Sequence, residues 1–333
     1  MSPTADQKLS GFGETFTSFV DDSFQKAGQG KADDFYSWFE SAYQSGSFHY
    51  PGQEGLSLPE LLDWKRKQLD GITDPAARSK ELIETGAWVH RMVKKTIPKF
   101  SLDRGFEFRY TVQNGERQCF LQSVLISGLL QSMGADAGVA MVYKNIQGQE
   151  CNNGHAVCVL KLPDGRDIVV DASEPEPFPK HQGLFLSVPG SGYRFLDPRY
   201  DADPPTISAY RASDGKSIEP RRLRTLDTRF LQSQFDYYRG ERAVGGLLDK
   251  NITPQGVATE AKFLKLSVDE CPENPLAVFM LGRTYRRQGD AKQAQATFEN
   301  AFKLYSRHGY VPGALRAMMA PASSSTHMRR QRR

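Results

Sequence analysis

The sequence predicts an α+β protein whose last third is helical, and three observations predict it. From Leu121 the apolar residues Leu121, Val124, Leu125 and Leu129 recur at helical spacing up to Met133-Gly134. Two runs rich in Val and Ile, 154–162 and 167–171, are joined by the turn sequence Pro163-Asp164-Gly165-Arg166. After Asn274, small and large apolar positions return at helical spacing in two segments separated by Gly289-Asp290.

Residues 1–30 are polar, with Phe12, Phe16 and Phe19 spaced as in a short amphipathic helix. The aromatic stretch Phe35, Tyr36, Trp38, Phe39 and Tyr43 also has helical spacing and is read as packing against the main domain. Ser57 with Glu60 three residues on forms a capping box, and Pro59 is tolerated in the first turn, so a helix starts there and braces the thiol-bearing core. Residues 76–90 form the helix before the thiol segment. The stretch from Asp197 to Pro220, with Pro198, Pro204, Pro205 and Asp214-Gly215, reads as a long loop that overhangs a cleft. Residues 259–268 and 312–319 add helices on either side of the 274–301 pair. The expected organisation is an N-terminal helical, partly disordered segment (1–55), a thiol-bearing domain (56–235), helical repeats (236–320) and a disordered basic tail (321–333).

Cys119, His155 and Asp171 are the candidate catalytic residues. Cys119 opens the buried helix, where unpaired N–H groups and the helix dipole favour a thiolate. His155 and Asp171 stand on the two predicted strands, and whether they share a face depends on the parity of the loop between them. A two- or four-residue loop centred on Asp164-Gly165 would set Asp171 opposite Cys158, on the wrong face. Pro163-Asp164-Gly165 suits a three-residue loop, with Pro and Asp in a type I turn and Gly in the left-handed position. That loop sets Asp171 opposite Val157 and makes His155 its diagonal neighbour on the same face. A thiol, an imidazole and a carboxylate so arranged form a nucleophile, a base and its orienter.

The segment from about Asp74 to Pro177 resembles the core of the transglutaminase-like superfamily, which places Cys at a helix start and His and Asp on the two following strands. The resemblance is carried by the helix over 76–90, Cys119, the Met133-Gly134 helix end, Gly154-His155-Ala156 and Val170-Asp171-Ala172. It implies a Cys-bearing helix packed on an antiparallel sheet that bears His and Asp. It also implies thiol-dependent acyl transfer on a protein or peptide: amide or peptide hydrolysis, deamidation or amide transfer through a Cys119 acyl-enzyme. The oxyanion candidates are the backbone N–H of Cys119 and the side chains of Gln113 and Gln118. Gln113 lies six residues before the nucleophile, a spacing also found in papain-like thiol proteases.

Residues 274–301, with Gly282, Tyr285, Ala294, Phe298 and Ala301, match the tetratricopeptide pattern, which implies a platform for a protein partner or a stabilising appendage. Two other functions remain open on sequence. One is a non-catalytic scaffold that binds a peptide or protein. The other is a small-molecule N-acyltransferase similar to arylamine N-acetyltransferases, whose Arg-Gly-Gly before the Cys is absent here.

Composition narrows the class. A chain of 333 residues is long enough for two or three domains. Four cysteines form no C-x-x-C pair and no zinc pattern with the six histidines, so neither a disulfide framework nor a metal or other cofactor is expected. The net charge of +4 is small for this length, and Arg329, Arg330, Arg332 and Arg333 supply as much, so nucleic acid is not an expected partner. No apolar run approaches a membrane span and no leader is recognised, which points to the cytoplasm.

Overall fold

The computed structural model describes residues 12–28, 30–46, 48–151, 154–201 and 203–319. The expected basic tail and the first eleven residues lie outside these. The described chain divides into two compact units between Gln232 and Ser233.

The first unit opens with four helices: α1 (Glu14–Ala27), α2 (Ala32–Ser45), α3 (Leu58–Asp70) and α4 (Pro75–Thr96). The phenylalanines of α1 and α2 do what their spacing predicts: Phe16, Phe19, Phe35 and Phe39 are buried, and Phe16 and Phe35 both meet Phe108 edge-on. The capping box at Ser57 and Glu60 is formed. Asp74 caps α4 through the N–H of Ala77. Two short strands, β1 (Lys99–Phe100) and β2 (Glu116–Arg117), pair in parallel around α5 (Phe108–Asn114). Gly105 is required there, because a Cβ would lie 2.3 Å from the Arg117 carbonyl carbon.

The helix α6 (Cys119–Ser132) is buried along its whole length except at Gln131. It packs on β3 (Asp136–Lys144) and β4 (Ala156–Lys161), and α1 approaches it so closely that a Cβ on Gly128 would sit 2.7 Å from the Phe16 ring. Beyond β5 (Asp167–Val170) the chain continues through β6 (Gly183–Val188), β7 (Gly192–Asp201), β8 (Thr206–Ala212) and the short β9 (Ser217–Ile218). The sheet order β5-β4-β3-β6-β7-β8 closes on itself through Asp167 opposite Ile207, giving a six-stranded antiparallel barrel among the described residues. Its interior is apolar, filled by Ala140, Val142, Val157, Val159, Val169, Leu184, Leu196 and Ile207 among others. The protein is therefore α+β.

The stretch from Asp197 to Pro220 is a correction. It is not a loop over a cleft but the end of β7, all of β8 and β9, and a 3-10 turn. Its prolines suggest a linker, whereas Pro204 and Pro205 mark the turn between two barrel strands. Pro198 lies within β7, opposite Tyr210 and one residue before a register shift. The apolar positions Ile207 and Tyr210, three apart across that irregularity, hide the alternation a strand normally shows.

The chain leaves the first unit within α7 (Thr228–Glu241). The second unit holds α8 (Pro254–Glu270), α9 (Pro275–Arg287), α10 (Ala291–His308) and α11 (Gly313–Met319). Thr253 caps α8, Asn274 caps α9 and Asp290 caps α10. Gly282 of α9 lets Phe298 of α10 come close, since a Cβ there would be 2.8 Å from that ring. No helix among the described residues is long and apolar enough to cross a membrane.

Candidate active site

The hairpin of β4 and β5 sets the geometry. Gly165 N–H donates to Leu162 O at 2.9 Å, Leu162 N–H donates to Arg166 O at 2.8 Å, and Gly165 has φ of 92°. The loop is therefore the three residues Pro163–Gly165. Asp164 reinforces it by accepting from the Arg166 N–H at 3.2 Å. The ladder pairs Lys161 with Asp167, Val159 with Val169 and Cys158 with Val170, so one step further Asp171 stands opposite Val157. His155 and Asp171 thus share the face whose middle, Val157, Val159 and Val169, fills the barrel. The other face, with Leu160 and Val170, rests on α4 at Gly86.

His155 Nε2 lies 2.8 Å from Asp171 Oδ2, and His181 Nε2 lies 2.9 Å from the same oxygen. A carboxylate only accepts, so both rings carry their proton on Nε2. Asp171 Oδ1 accepts the Ser173 N–H at 2.8 Å. Burial of Asp171 favours its neutral form, but the hydrogen bonds and charges of the two imidazoles outweigh that and hold the carboxyl far below its ordinary range. His155 behaves in the opposite sense. Burial opposes its charge, yet the bond to Asp171, a hydrogen bond with Cys119 and the charges of both raise its pKa well above the ordinary value. His155 is 21% exposed, whereas Asp171 and His181 are sealed.

Cys119 is the first residue of α6 and 5% exposed. Its carbonyl accepts from Ser123 Oγ, which also donates to Ala156 O next to His155, so one hydroxyl links the thiol's helix to the imidazole's strand. Burial pushes the Cys158 thiol up to about 12, which leaves it inert. Burial also raises Cys151, whose thiol feels the charges of both His155 and Cys119.

The sequence-derived oxyanion donors are not assembled by these contacts. Gln113 is exposed on α5, with its amide oriented so that its oxygen accepts from Arg109 Nε and Nη2 at 3.2 Å each. Gln118 is buried, but its side-chain oxygen caps α6 by accepting the Phe120 N–H at 3.3 Å. The helix preference for a polar cap outweighs the role its position suggested. The Cys119 N–H is in the first turn, where no intrahelical acceptor exists.

Residues that sequence reasoning missed surround the turn after β5. His181 holds Asp171, Arg117 Nη2 reaches Ala172 O at 3.4 Å, Gln122 Nε2 donates to Ser173 Oγ at 2.7 Å, and His90 Nε2 donates to Glu174 O at 3.2 Å. Gln122 had a signal, being polar inside an apolar helix. His90 and His181 had none, because nothing local tells a buried histidine from an exposed one.

His155, Asp171 and His181 present donor atoms within 4.8 Å of one another, a spacing compatible with a metal ion. Each Nε2, however, is at hydrogen-bond distance from a carboxylate oxygen, and a nitrogen that donates its proton there has no lone pair to give a cation. As placed, the two rings and the carboxylate form a hydrogen-bonded cluster.

No family model matches the chain, and no curated protein matches it. Among solved structures, one entitled "Crystal structure of menin reveals the binding site for Mixed Lineage Leukemia (MLL) protein" aligns over 90% of this chain with a TM-score of 0.40 and 13% identity. The chain spans 63% of that structure's length. Likeness at this level assigns neither family nor function.

Proposed function

We propose that the protein is a thiol-dependent acyl-transfer enzyme, of the transglutaminase-like kind that the sequence resembles. The observation that carries the reading is the 2.8 Å contact of His155 with Asp171, next to the strand residue Ala156 that Ser123 ties to the Cys119 carbonyl at the start of α6. In this reading His155 takes the thiol proton and the sulfur attacks an amide carbon, forming a C–S bond and an oxyanion beside the Cys119 N–H. Collapse breaks the C–N bond, and the imidazolium returns its proton to the departing amine. Water or a second amine then attacks the thioester, and Cys119 is released. Asp171 fixes the ring and supports its charged form throughout. The helices α9 and α10 are read as a tetratricopeptide-type hairpin that binds a partner or substrate, on the close approach at Gly282.

The test is mass spectrometry of the intact protein treated with iodoacetamide near pH 7, with Cys119→Ser as control. Cys119 is expected to alkylate at least about tenfold faster than free cysteine, and His155→Ala to slow it by about a hundredfold. A second reading, a non-catalytic peptide-binding scaffold, is favoured by the burial of the thiol, which is only 5% exposed. It prevails if Cys119 alkylates no faster than free cysteine and His155→Ala changes nothing.

A further inference from the structure

Four side chains converge on the turn of residues 171–174 without a part in the acyl-transfer steps: His90, Arg117, Gln122 and His181. Each commits one polar atom to that turn and has another that is buried with no partner: His90 Nδ1, Arg117 Nε and Nη1, Gln122 Oε1 and His181 Nδ1. These are five of the ten such atoms among the described residues, so the gaps in hydrogen bonding are concentrated here rather than spread over the fold. The two imidazoles donate through Nε2, so their Nδ1 atoms are lone pairs; the unpaired donors are both on Arg117.

The charges are as uneven as the hydrogen bonds. Arg117 is 6% exposed and contacts only a carbonyl. Lys94 also ends on a carbonyl, that of Glu174. Burial, then the charge of Arg117, pulls Lys94 down, and burial pulls Arg117 down against the charge of Asp171. Asp171 cannot serve as a contact partner for either, since its oxygens already accept three N–H groups. A buried guanidinium without an anion is costly, and a ligand carboxylate that met its fork would remove that cost. Arg117 is two residues from the nucleophile, and two residues of extended chain span about 7 Å.

We propose that Arg117, with Lys94 behind it, docks a carboxylate of the substrate, so that the acyl donor of Cys119 is an amide bearing a carboxylate within about 7 Å of the carbon attacked. This rests on the acyl-transfer reading and narrows its substrate class.

The alkylation of Cys119 tests it without a known substrate, by comparing iodoacetate with iodoacetamide. A thiolate repels the anionic reagent, so free cysteine sets a low iodoacetate-to-iodoacetamide rate ratio. Cys119 is expected to exceed that ratio, Arg117→Met to reduce it by about tenfold, and Arg117→Lys to keep most of it. The iodoacetamide rate of each variant reports whether the site still folds. Should Arg117→Met fail to fold, the wild-type protein decides: glutarate should slow alkylation by iodoacetamide in a saturable way, and the neutral diamide glutaramide should not. A wild-type ratio equal to that of free cysteine, a ratio unmoved by Arg117→Met, or equal protection by the two competitors overturns the proposal. Fast, His155-dependent alkylation without anion preference sinks this inference alone, whereas slow alkylation by both reagents sinks the acyl-transfer reading.

Discussion

Two buried polar networks, one in each unit, are built on different terms. In the second unit Asn274 Nδ2 donates to Ser233 Oγ and Gln234 Oε1, its oxygen caps α9 at Ala277, and Ser267 donates to Ser233 O. Nearby, Glu260 accepts from the Leu247 N–H and the Thr284 hydroxyl. Only Gln234 Nε2 is left over in that unit among the described residues. Around Asp171, by contrast, one carboxylate is fully satisfied and four neighbours are left with unpaired atoms. A network that only has to fold closes on itself, because every open group costs about 1–3 kcal/mol. One that stays open beside a thiol and an imidazole marks the place where a ligand closes it.

The largest effect should come from the open network. Asp171→Ala leaves two imidazoles and a backbone N–H facing a void, and should cost about 3 kcal/mol or more in denaturant melts. If the loss is instead negligible, Asp171 does not organise its neighbours and the contrast between the networks fails. The pH dependence sharpens the point. The depressed carboxyl of Asp171 contributes stability above its unfolded pKa of about 4, and that contribution fades as pH falls toward the folded value. The raised pKa of His155 contributes below its unfolded value of about 6.5 and fades as pH rises through the folded value. The stability difference between wild type and Asp171→Asn should therefore be widest between about pH 4 and 6.5 and shrink on both sides. A difference that stays flat from pH 3 to 9 would remove the ion pair from the account.

Next come the closed network and its helices. Asn274→Ala loses a cap and two hydrogen bonds at once and should cost about 2 kcal/mol. Gly282→Leu should cost a similar amount, about 1–3 kcal/mol, because the added side chain meets the Phe298 ring. Neither should change Cys119 alkylation. An unshifted melting midpoint for Gly282→Leu would mean that α9 and α10 do not depend on that close approach.

Sequence made some of this legible because the governing rules are local. The cap at Ser57, the helix begun by Cys119 and the three-residue turn at Pro163–Gly165 each depend on neighbours along the chain. The turn then fixed which residues share a face, so the His155–Asp171 pair could be read over sixteen positions of sequence. What escaped depends on chain brought in from elsewhere. His90 comes from α4 and His181 from the segment before β6, and they meet Asp171 and its turn only once the barrel has closed. The barrel itself was hidden by a proline within β7 and a pair of prolines in the turn before β8, and its closure through Asp167 and Ile207 is a pairing forty residues apart that no local pattern encodes.

The smallest effect tests how firmly the register of that hairpin is held. Gly165 adopts φ of 92°, and a Cβ there would have no atom within 4 Å, so Gly165→Ala costs backbone strain alone, about 1 kcal/mol. The loop keeps its other supports: the Leu162 N–H on Arg166 O and the Asp164 carboxylate on the Arg166 N–H and guanidinium. Strand pairing from Lys161–Asp167 to Cys158–Val170 is untouched. The loop should therefore stay three residues long, Asp171 should stay opposite Val157, and Cys119 should alkylate within about twofold of wild type despite a lower melting midpoint. Deleting Val169 should do the reverse, since it keeps the turn but moves Asp171 one position along the strand, opposite Cys158 and on the face away from His155. If Gly165→Ala slows Cys119 as much as that deletion does, the turn rather than the ladder holds the pair, and the face that Asp171 takes is set by Gly165.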